Sequence, residues 1–427
     1  MNIKAIHQLF LQSNSVCTDT RKIIKDGMFF ALKGENFNGN TFAQNAIELG
    51  AKYVIIDEAE FNISAETILV NNVLETLQEL ATFHRAYLKL PIIAITGSNG
   101  KTTTKELINA TLSQKFNTVA TIGNLNNHIG VPLTLLSMDS KTEIGIVEMG
   151  ANHLNEIEFL CSIAKPDYGY ITNFGKAHLE GFGSIEGVIQ GKSELYKYLI
   201  KHNKTIFVNG NDKIQIERTQ KANTYTFGTI KDNSNIIIDL INAHPFVKVL
   251  YNNLEIQSQL IGTYNFSNIS AAIAIGNYFK VEDSEIKLAI ENYVPTNNRS
   301  QITEKGTNTI ILDAYNANPT SMEAALRNFE KQEGFQKIVI LGDMFELGNE
   351  AEKEHQAIID LVSTMLLDQV IVIGKHFFET KIVSPKIVAF KAFEEFKDNF
   401  DVSQIKNTTL LIKASRGMAL ERILDII

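Results

Sequence analysis

The chain has 427 residues, is 44% hydrophobic and 21% charged, and carries a formal net charge of -8, an ordinary soluble composition with room for about two to four domains. The acidic balance argues against a nucleic-acid partner, whose phosphates call for a basic face. The two cysteines, Cys17 and Cys161, lie too far apart for a disulfide or zinc framework, the opening "MNIKAIHQLFLQSNS" is too broken for a signal peptide, and no apolar run reaches the length of a membrane helix, so the expected location is cytoplasmic and no membrane insertion is expected.

Residues 1–88 form the first predicted unit, a small α/β domain. "GMFFAL" and "AKYVIID" are strand-like, "NTFAQNAIELGA" between them has helical spacing ending at Gly50, and "LETLQELATFHRAYLKL" makes an amphipathic helix running up to Pro91. Residues 89–295 come next. Short apolar runs at "IIAIT", "IGIVEMG", "YGYITN" and "KTIFVNG" alternate with helical patterns at "KTTTKELINATL", "LNEIEFLCSIA" and "SIEGVIQGKSELYKYLI", which implies a mainly parallel sheet with helices on both faces. Residues 224–260 alternate without helices and suggest an antiparallel excursion, after which "NFSNISAAIAIGNYF" returns to a helix. Pro295 and the asparagines of "VPTNNRSQ" mark a linker. Beyond it, in 296–427, alternation resumes with "NTIILDA", a helix from Pro319, "KIVILGDM", a helix from about Asn349, "QVIVIG" and "TLLIKAS" before a last helix. This is a second doubly wound, Rossmann-like unit.

The chemistry is concentrated after the strand Ile92 to Ile95, in "TGSNGKTT". Gly100, Lys101 and Thr102 fit the second half of the usual phosphate-loop pattern, but Ile95 stands where the first glycine belongs and Gly97 lies three residues before Gly100. The physics is unchanged by the variation. Glycines let backbone N–H groups close around phosphate oxygens at a helix N-terminus, Lys101 would sit between the outer phosphates, and the Thr102 hydroxyl would hold Mg²⁺. Phosphate binding alone does not name a reaction.

The variant loop resembles that of the ATP-dependent Mur ligases and the folylpolyglutamate synthases. Further strings match the Mur ligases: "VEMGAN", "GKSEL", "GTYNFSN", "NNRSQ", "YNANP", "LGDMFELG", "KASRGM" and, near the N-terminus, "DTRKIIKDGMFFALKGENFNGNTFAQNA". The resemblance covers nearly the whole chain and implies a three-domain architecture. In it, 1–88 binds a UDP-linked substrate, 89–295 binds ATP, and 296–427 binds the amine and part of the ATP. It also implies roles. Residues Gly97, Ser98, Asn99, Gly100, Lys101, Thr102 and Thr103 would cradle ATP, with Asn265 and Asn268 near the base and Arg299 and Asp313 reaching the nucleotide across the linker. Two Mg²⁺ ions would be held, one by Thr102 and Glu148, the other by His178 and a Lys192 carbamoylated by CO₂. Read by themselves, His178 and Lys192 are equally a loop histidine and a solvated helix lysine, and the asparagine pair equally a helix cap.

Thr20 and Arg21 are candidate contacts to the uridine diphosphate, and Asn126 and Asn127 lie in the muramoyl-peptide region. Asn316 and Asn318, with Asp343, are candidates for the amine pocket. The chain departs from the family in two places: Gly191 replaces the more usual alanine before Lys192, and Leu312-Asp313 replaces a pair of acids. "YNANP" points to the branch whose amine is D-alanyl-D-alanine and whose acceptor is UDP-N-acetylmuramoyl-tripeptide. The implied reaction is ATP-dependent amide formation through an acyl phosphate, by an enzyme expected to be a monomer. The rivals are a family member using another amine, and a nucleotide-gated switch that performs no ligation.

Overall fold

The computed structural model describes residues 1–229, 234–296 and 298–427. Among these residues the strands form three larger sheets, one in each third of the chain, and a two-stranded ribbon at Lys33–Gly34 and Phe37–Asn38. The first sheet runs Val16–Cys17, Gly27–Phe30, Ala51–Ile56, Thr67–Leu69, all parallel. Gly27–Phe30 is buried at every position, as a parallel strand covered on both faces should be. Helix Val73–Leu88 leads out of this sheet. Asn72 caps its first turn through Glu75 N, and it ends at Lys89 in a left-handed conformation before Pro91.

The central sheet carries the site. Ile92–Thr96 lies between Tyr168–Ile171 and Ile144–Glu148, all parallel and almost wholly buried. Ile95 is level with Glu148, and Thr96 with Ile171. The carboxyl ends of three strands therefore come out together, which is where open α/β sheets place ligands. Helix Lys101–Leu112 follows the central strand and packs against helix Asn265–Tyr278.

Two expectations need correction in this region. Asn223–Gly228 and Ile236–Asn242 extend the sheet in parallel, and the antiparallel part begins only at Lys248–Tyr251 and Leu254–Gln257. Alternation of period two cannot distinguish the two pairings. The hairpin between the last two strands turns through Asn252 and Asn253, both with positive φ, as a two-residue turn requires. The helix expected over "SIEGVIQGKSELYKYLI" is two, Ile185–Lys192 and Glu194–Lys201, meeting at Ser193.

The third sheet has Asn308–Asp313, Thr409–Lys413, Lys337–Gly342, Gln369–Ile373 and Ile387–Phe390 in parallel, with Gln301–Lys305 antiparallel at one edge. Neither Ile387–Phe390 nor Gln301–Lys305 was expected. The helix expected from about Asn349 begins at Ala351, after a short turn at Gly348–Glu350. No α-helix follows the last strand: the chain ends in two 3-10 turns, Arg416–Met418 and Leu420–Asp425, separated by Ala419 in a left-handed conformation, which breaks a regular helix. Among the described residues no helix is long and apolar enough to cross a membrane.

Candidate active site

The phosphate loop is shaped by two glycines in conformations open mainly to glycine, Gly97 at φ 142° and Gly100 at φ 79°. There is also no room for a side chain: a Cβ at Gly97 would lie 2.0 Å from Thr172 Oγ1, and one at Gly100 2.6 Å from Asn268 Oδ1. The end of strand Tyr168–Ile171 holds the loop from one side. The Asn99 carbonyl accepts from Thr172 Oγ1 at 2.5 Å and from Asn173 Nδ2 at 3.0 Å, and Asn99 N donates to Asn173 Oδ1 at 3.1 Å. Ser98 Oγ donates to the Gly175 carbonyl at 2.8 Å.

Lys101 folds back over this loop, donating to the Gly97 and Ser98 carbonyls at 2.7 and 3.1 Å. Burial lowers its pKa to about 8, opposed by Glu148 and reinforced by Arg299. Thr102 Oγ1 donates to Glu148 Oε2 at 2.9 Å, and Asn126 Nδ2 donates to Glu148 Oε1 at 2.8 Å. A buried carboxylate is thus held between a hydroxyl and an amide at the strand end.

These groups open on a cavity of about 810 Å³, within the usual range for small-molecule sites. Residues 98–103, Asn126, Asn127, Glu148, His178, Asn265, Asn268, Arg299, Asp313, Asn316 and Asn318 all line it. Asn268 bridges to the loop helix by accepting from Thr104 Oγ1 at 3.0 Å, while its amide nitrogen donates to Asn265 Oδ1 at 2.7 Å. Neither asparagine side chain caps its helix. Asn127 Oδ1 accepts from Ile129 N and Gly130 N at 3.1 and 2.9 Å, fixing the turn that brings Asn126 to Glu148.

The C-terminal unit supplies the far wall. Asp313 and Lys413 sit opposite each other on neighbouring strands, and Lys413 Nζ is 2.6 Å from Asp313 Oδ2. Leu312 is buried in the core of that unit, so only Asp313 of this pair faces the cavity. The Arg299 guanidinium lies 3.7 Å from the centre of the Tyr315 ring, and its buried Nε has no hydrogen-bond partner. Asn316 Oδ1 accepts from Ala317 N at 2.9 Å. His178, at φ 53°, and Glu346, at φ 61°, meet across the two units with Nδ1 and Oε2 2.5 Å apart, off the axis of a regular hydrogen bond. The histidine holds the Glu346 carboxyl below its ordinary pKa.

Several expected residues do not line the cavity. Lys192 is fully buried, donates to the Ala151 carbonyl at 2.9 Å, and lies 5.1 Å from the centre of the Phe182 ring. Burial, and next the charge of Lys101, hold its pKa well below the usual lysine range. A Cβ at residue 191 would come within 2.5 Å of the same Phe182 ring, which accounts for Gly191 in place of alanine. Asp343 is not a cavity residue: its carboxylate accepts from His376 N and Phe377 N, both at 3.0 Å, at the start of helix Lys375–Phe378. Thr20 and Arg21 lie in the first sheet's unit, away from the cavity lining. The exposed Arg21 is paired with Asp19 at 2.7 Å. Asn173, Glu346, Tyr315 and Lys413 were not singled out from sequence, although the last three stand inside family-like strings and two of them are charges.

The chain was compared with known proteins. Residues 13–91 match the "Mur ligase family, catalytic domain", residues 95–276 the "Mur ligase middle domain", and residues 298–420 the "Mur ligase, glutamate ligase domain". Over 96% of its length and 92% of the relative's, the chain is 36% identical to UDP-N-acetylmuramoyl-tripeptide–D-alanyl-D-alanine ligase of Bacillus subtilis (strain 168). Its structure is similar to that of MurF from Acinetobacter baumannii, with a TM-score of 0.86 and 27% identity, covering 100% of this chain and 98% of that one. It is also similar to MurF ligase from Thermotoga maritima in complex with ADP, with a TM-score of 0.82 and 26% identity, covering 98% and 97%.

Proposed function

The chain belongs to the Mur ligase family, and from that premise and the cavity we infer that it joins D-alanyl-D-alanine to UDP-N-acetylmuramoyl-tripeptide, with ATP, in the cytoplasmic synthesis of a peptidoglycan precursor. The observation that carries this reading is one cavity lined by a phosphate loop, Glu148 and His178 from the central unit and by Arg299, Asp313 and Asn316 from the C-terminal unit. A nucleotide switch would explain the loop, but it gives no reason for a second domain to build the other wall.

A peptide carboxylate is a poor electrophile, because its charge repels an amine and oxide is a bad leaving group. Transfer of the ATP γ-phosphoryl to a carboxylate oxygen makes an acyl phosphate. The amine of the dipeptide then attacks the carbonyl carbon, and phosphate leaves with the oxygen that accepted it. Lys101 balances charge on the transferring group. Its retracted position over Gly97 and Ser98 keeps the amine beside the loop until phosphate oxygens replace those carbonyls.

The donors around Glu148 fit Mg²⁺: a hydroxyl and a carboxylate are hard oxygen ligands. Among the described residues no three His, Cys, Asp or Glu side chains gather, and Mg²⁺ commonly completes its shell with water and phosphate oxygens. Thr102 and Glu148 would hold one ion. His178 and a carbamoylated Lys192 would hold the other. When bound, the ions supply charge neutralisation on phosphoryl and carboxylate oxygens. Burial favours the neutral amine of Lys192, the form that reacts with CO₂.

We assign 1–88, with Thr20 and Arg21, to the uridine diphosphate part, 89–295 to ATP and 296–427 to the amine, in a monomer whose site draws on one chain. Phosphate release with product mass tests the reading. UDP-N-acetylmuramoyl-tripeptide with D-alanyl-D-alanine should give a dipeptide-dependent burst and a UDP-linked pentapeptide. Turnover only with a free amino acid on its matching shorter acceptor would move the chain to another branch. ATP turnover indifferent to amine and carboxylate would favour the switch.

A further inference from the structure

Helix Pro319–Glu330 begins with a capping box: Asn318 Oδ1 accepts from Ser321 N at 2.9 Å, and Ser321 Oγ reaches back to Asn318 N at 3.1 Å. The cap leaves the amide nitrogen of Asn318 facing outward. That nitrogen donates to Asn99 Oδ1, in the middle of the phosphate loop, at 2.7 Å. Because the oxygen is engaged by the helix, the orientation of the amide is fixed by its own network. Two residues on, Thr320 Oγ1 accepts from Lys176 N at 2.9 Å. Gly175 makes room for both contacts, since a Cβ there would lie 3.0 Å from Asn99 Nδ2 and 3.1 Å from Thr320 Oγ1. Asn318 is itself buried.

We propose that Asn318 is a positioning residue for the phosphate loop rather than a contact to the amine substrate. Its side chain uses one end to start a helix of the amine-binding unit and the other to hold Asn99, which, among the described residues, the central unit holds through its backbone amide and carbonyl. The C-terminal unit thereby sets one side of the loop, and nucleotide affinity depends on a residue from outside the central sheet. This rests on the reading that the loop holds ATP.

Asn318→Ser is the informative variant, because serine is also a good helix cap but is too short to reach Asn99. The affinity for ADP and the separate KM values for ATP and D-alanyl-D-alanine should be measured in the full-length protein, together with Asn99→Ala and the double variant. Loss of one neutral hydrogen bond should weaken ADP binding and raise the KM for ATP by about two- to tenfold. The dipeptide KM should be unchanged, and Asn318→Ser should add little on top of Asn99→Ala. A raised dipeptide KM with unchanged ADP affinity would overturn the proposal in favour of a substrate contact. Unchanged ADP affinity in Asn318→Ser and Asn99→Ala alike would overturn it in favour of a cap alone. If Asn318→Ser does not fold, ADP binding by Asn99→Ala decides between the same results. Failure of the unaltered protein to bind ADP would remove the ATP reading and the proposal with it.

Discussion

The central and C-terminal units each bury a lysine at the edge of the site, and the two lysines have opposite surroundings. Lys192 is fully buried with a backbone carbonyl and an aromatic ring as its neighbours, whereas Lys413 is 1% exposed and has a carboxylate at 2.6 Å. Burial penalises an ammonium in both places; at Lys413 a carboxylate in direct contact offsets it, whereas the charges of Glu156 and Glu194 near Lys192 are outweighed by burial and by Lys101. The first environment suits an amine that must lose its proton and react. The second suits a fixed cation that holds Asp313 at the cavity wall.

The largest expected effect is on the loop itself. Lys101→Ala should lower kcat by about 10²- to 10³-fold, as removal of a preorganised charge-stabilising group does, and steady-state kinetics would show it. Near-normal turnover would sever the loop from the chemistry.

The same substitution at the two buried lysines should then give divergent results. Lys413→Met leaves the Asp313 carboxylate without its partner and should cost about 3 kcal/mol in chemical denaturation. Lys192→Met removes an amine whose charged form burial disfavours, so stability should stay within about 1 kcal/mol of the parent while activity is lost. In Lys192→Ala, short carboxylic acids should restore part of that activity by standing in for the carbamate. Full activity in Lys192→Ala without them would refute the carbamate.

The pH response of Lys101 is a finer test. Its pKa is lowered to about 8, so above that pH the free protein carries a neutral amine there. Nucleotide phosphates favour the ammonium, so ADP binding above pH 8 should take up protons and weaken as pH rises. Calorimetry in two buffers of different ionisation enthalpy would detect the uptake, and its absence would place the amine away from the phosphates.

At the small end, Lys176 pairs with Glu354 across the two units at 2.6 Å, but its side chain is 49% exposed. Lys176→Ala should therefore change stability by less than about 1 kcal/mol.

The same contrast explains what could be read from the sequence. The phosphate loop is local: "TGSNGKTT" contains its own glycines, lysine and hydroxyl, and Glu148 ends an apolar strand, so these residues are visible as a pattern. The C-terminal wall is not local. Lys413 matters because its strand aligns with the one ending in Asp313, a hundred residues earlier. Glu346 matters because a distant unit brings it to His178. Neither register nor docking is written in periodicity. Asp343, a candidate through its place in "LGDMFELG", has its oxygens taken up by the helix beginning at Lys375, a partner that the string does not contain. The missing last helix and the parallel pairing of Asn223–Gly228 failed where alternation and helical spacing were too short to decide.

The central claim is that phosphate activates a carboxylate. It is tested most directly by following heavy oxygen from both oxygens of the labelled acceptor carboxylate of UDP-N-acetylmuramoyl-tripeptide during turnover with ATP and D-alanyl-D-alanine. The acyl-phosphate route predicts that each amide formed releases a phosphate carrying one labelled oxygen, with the other retained in the amide carbonyl. Unlabelled phosphate would mean that water, not the carboxylate, receives the γ-phosphoryl group, and would contradict it.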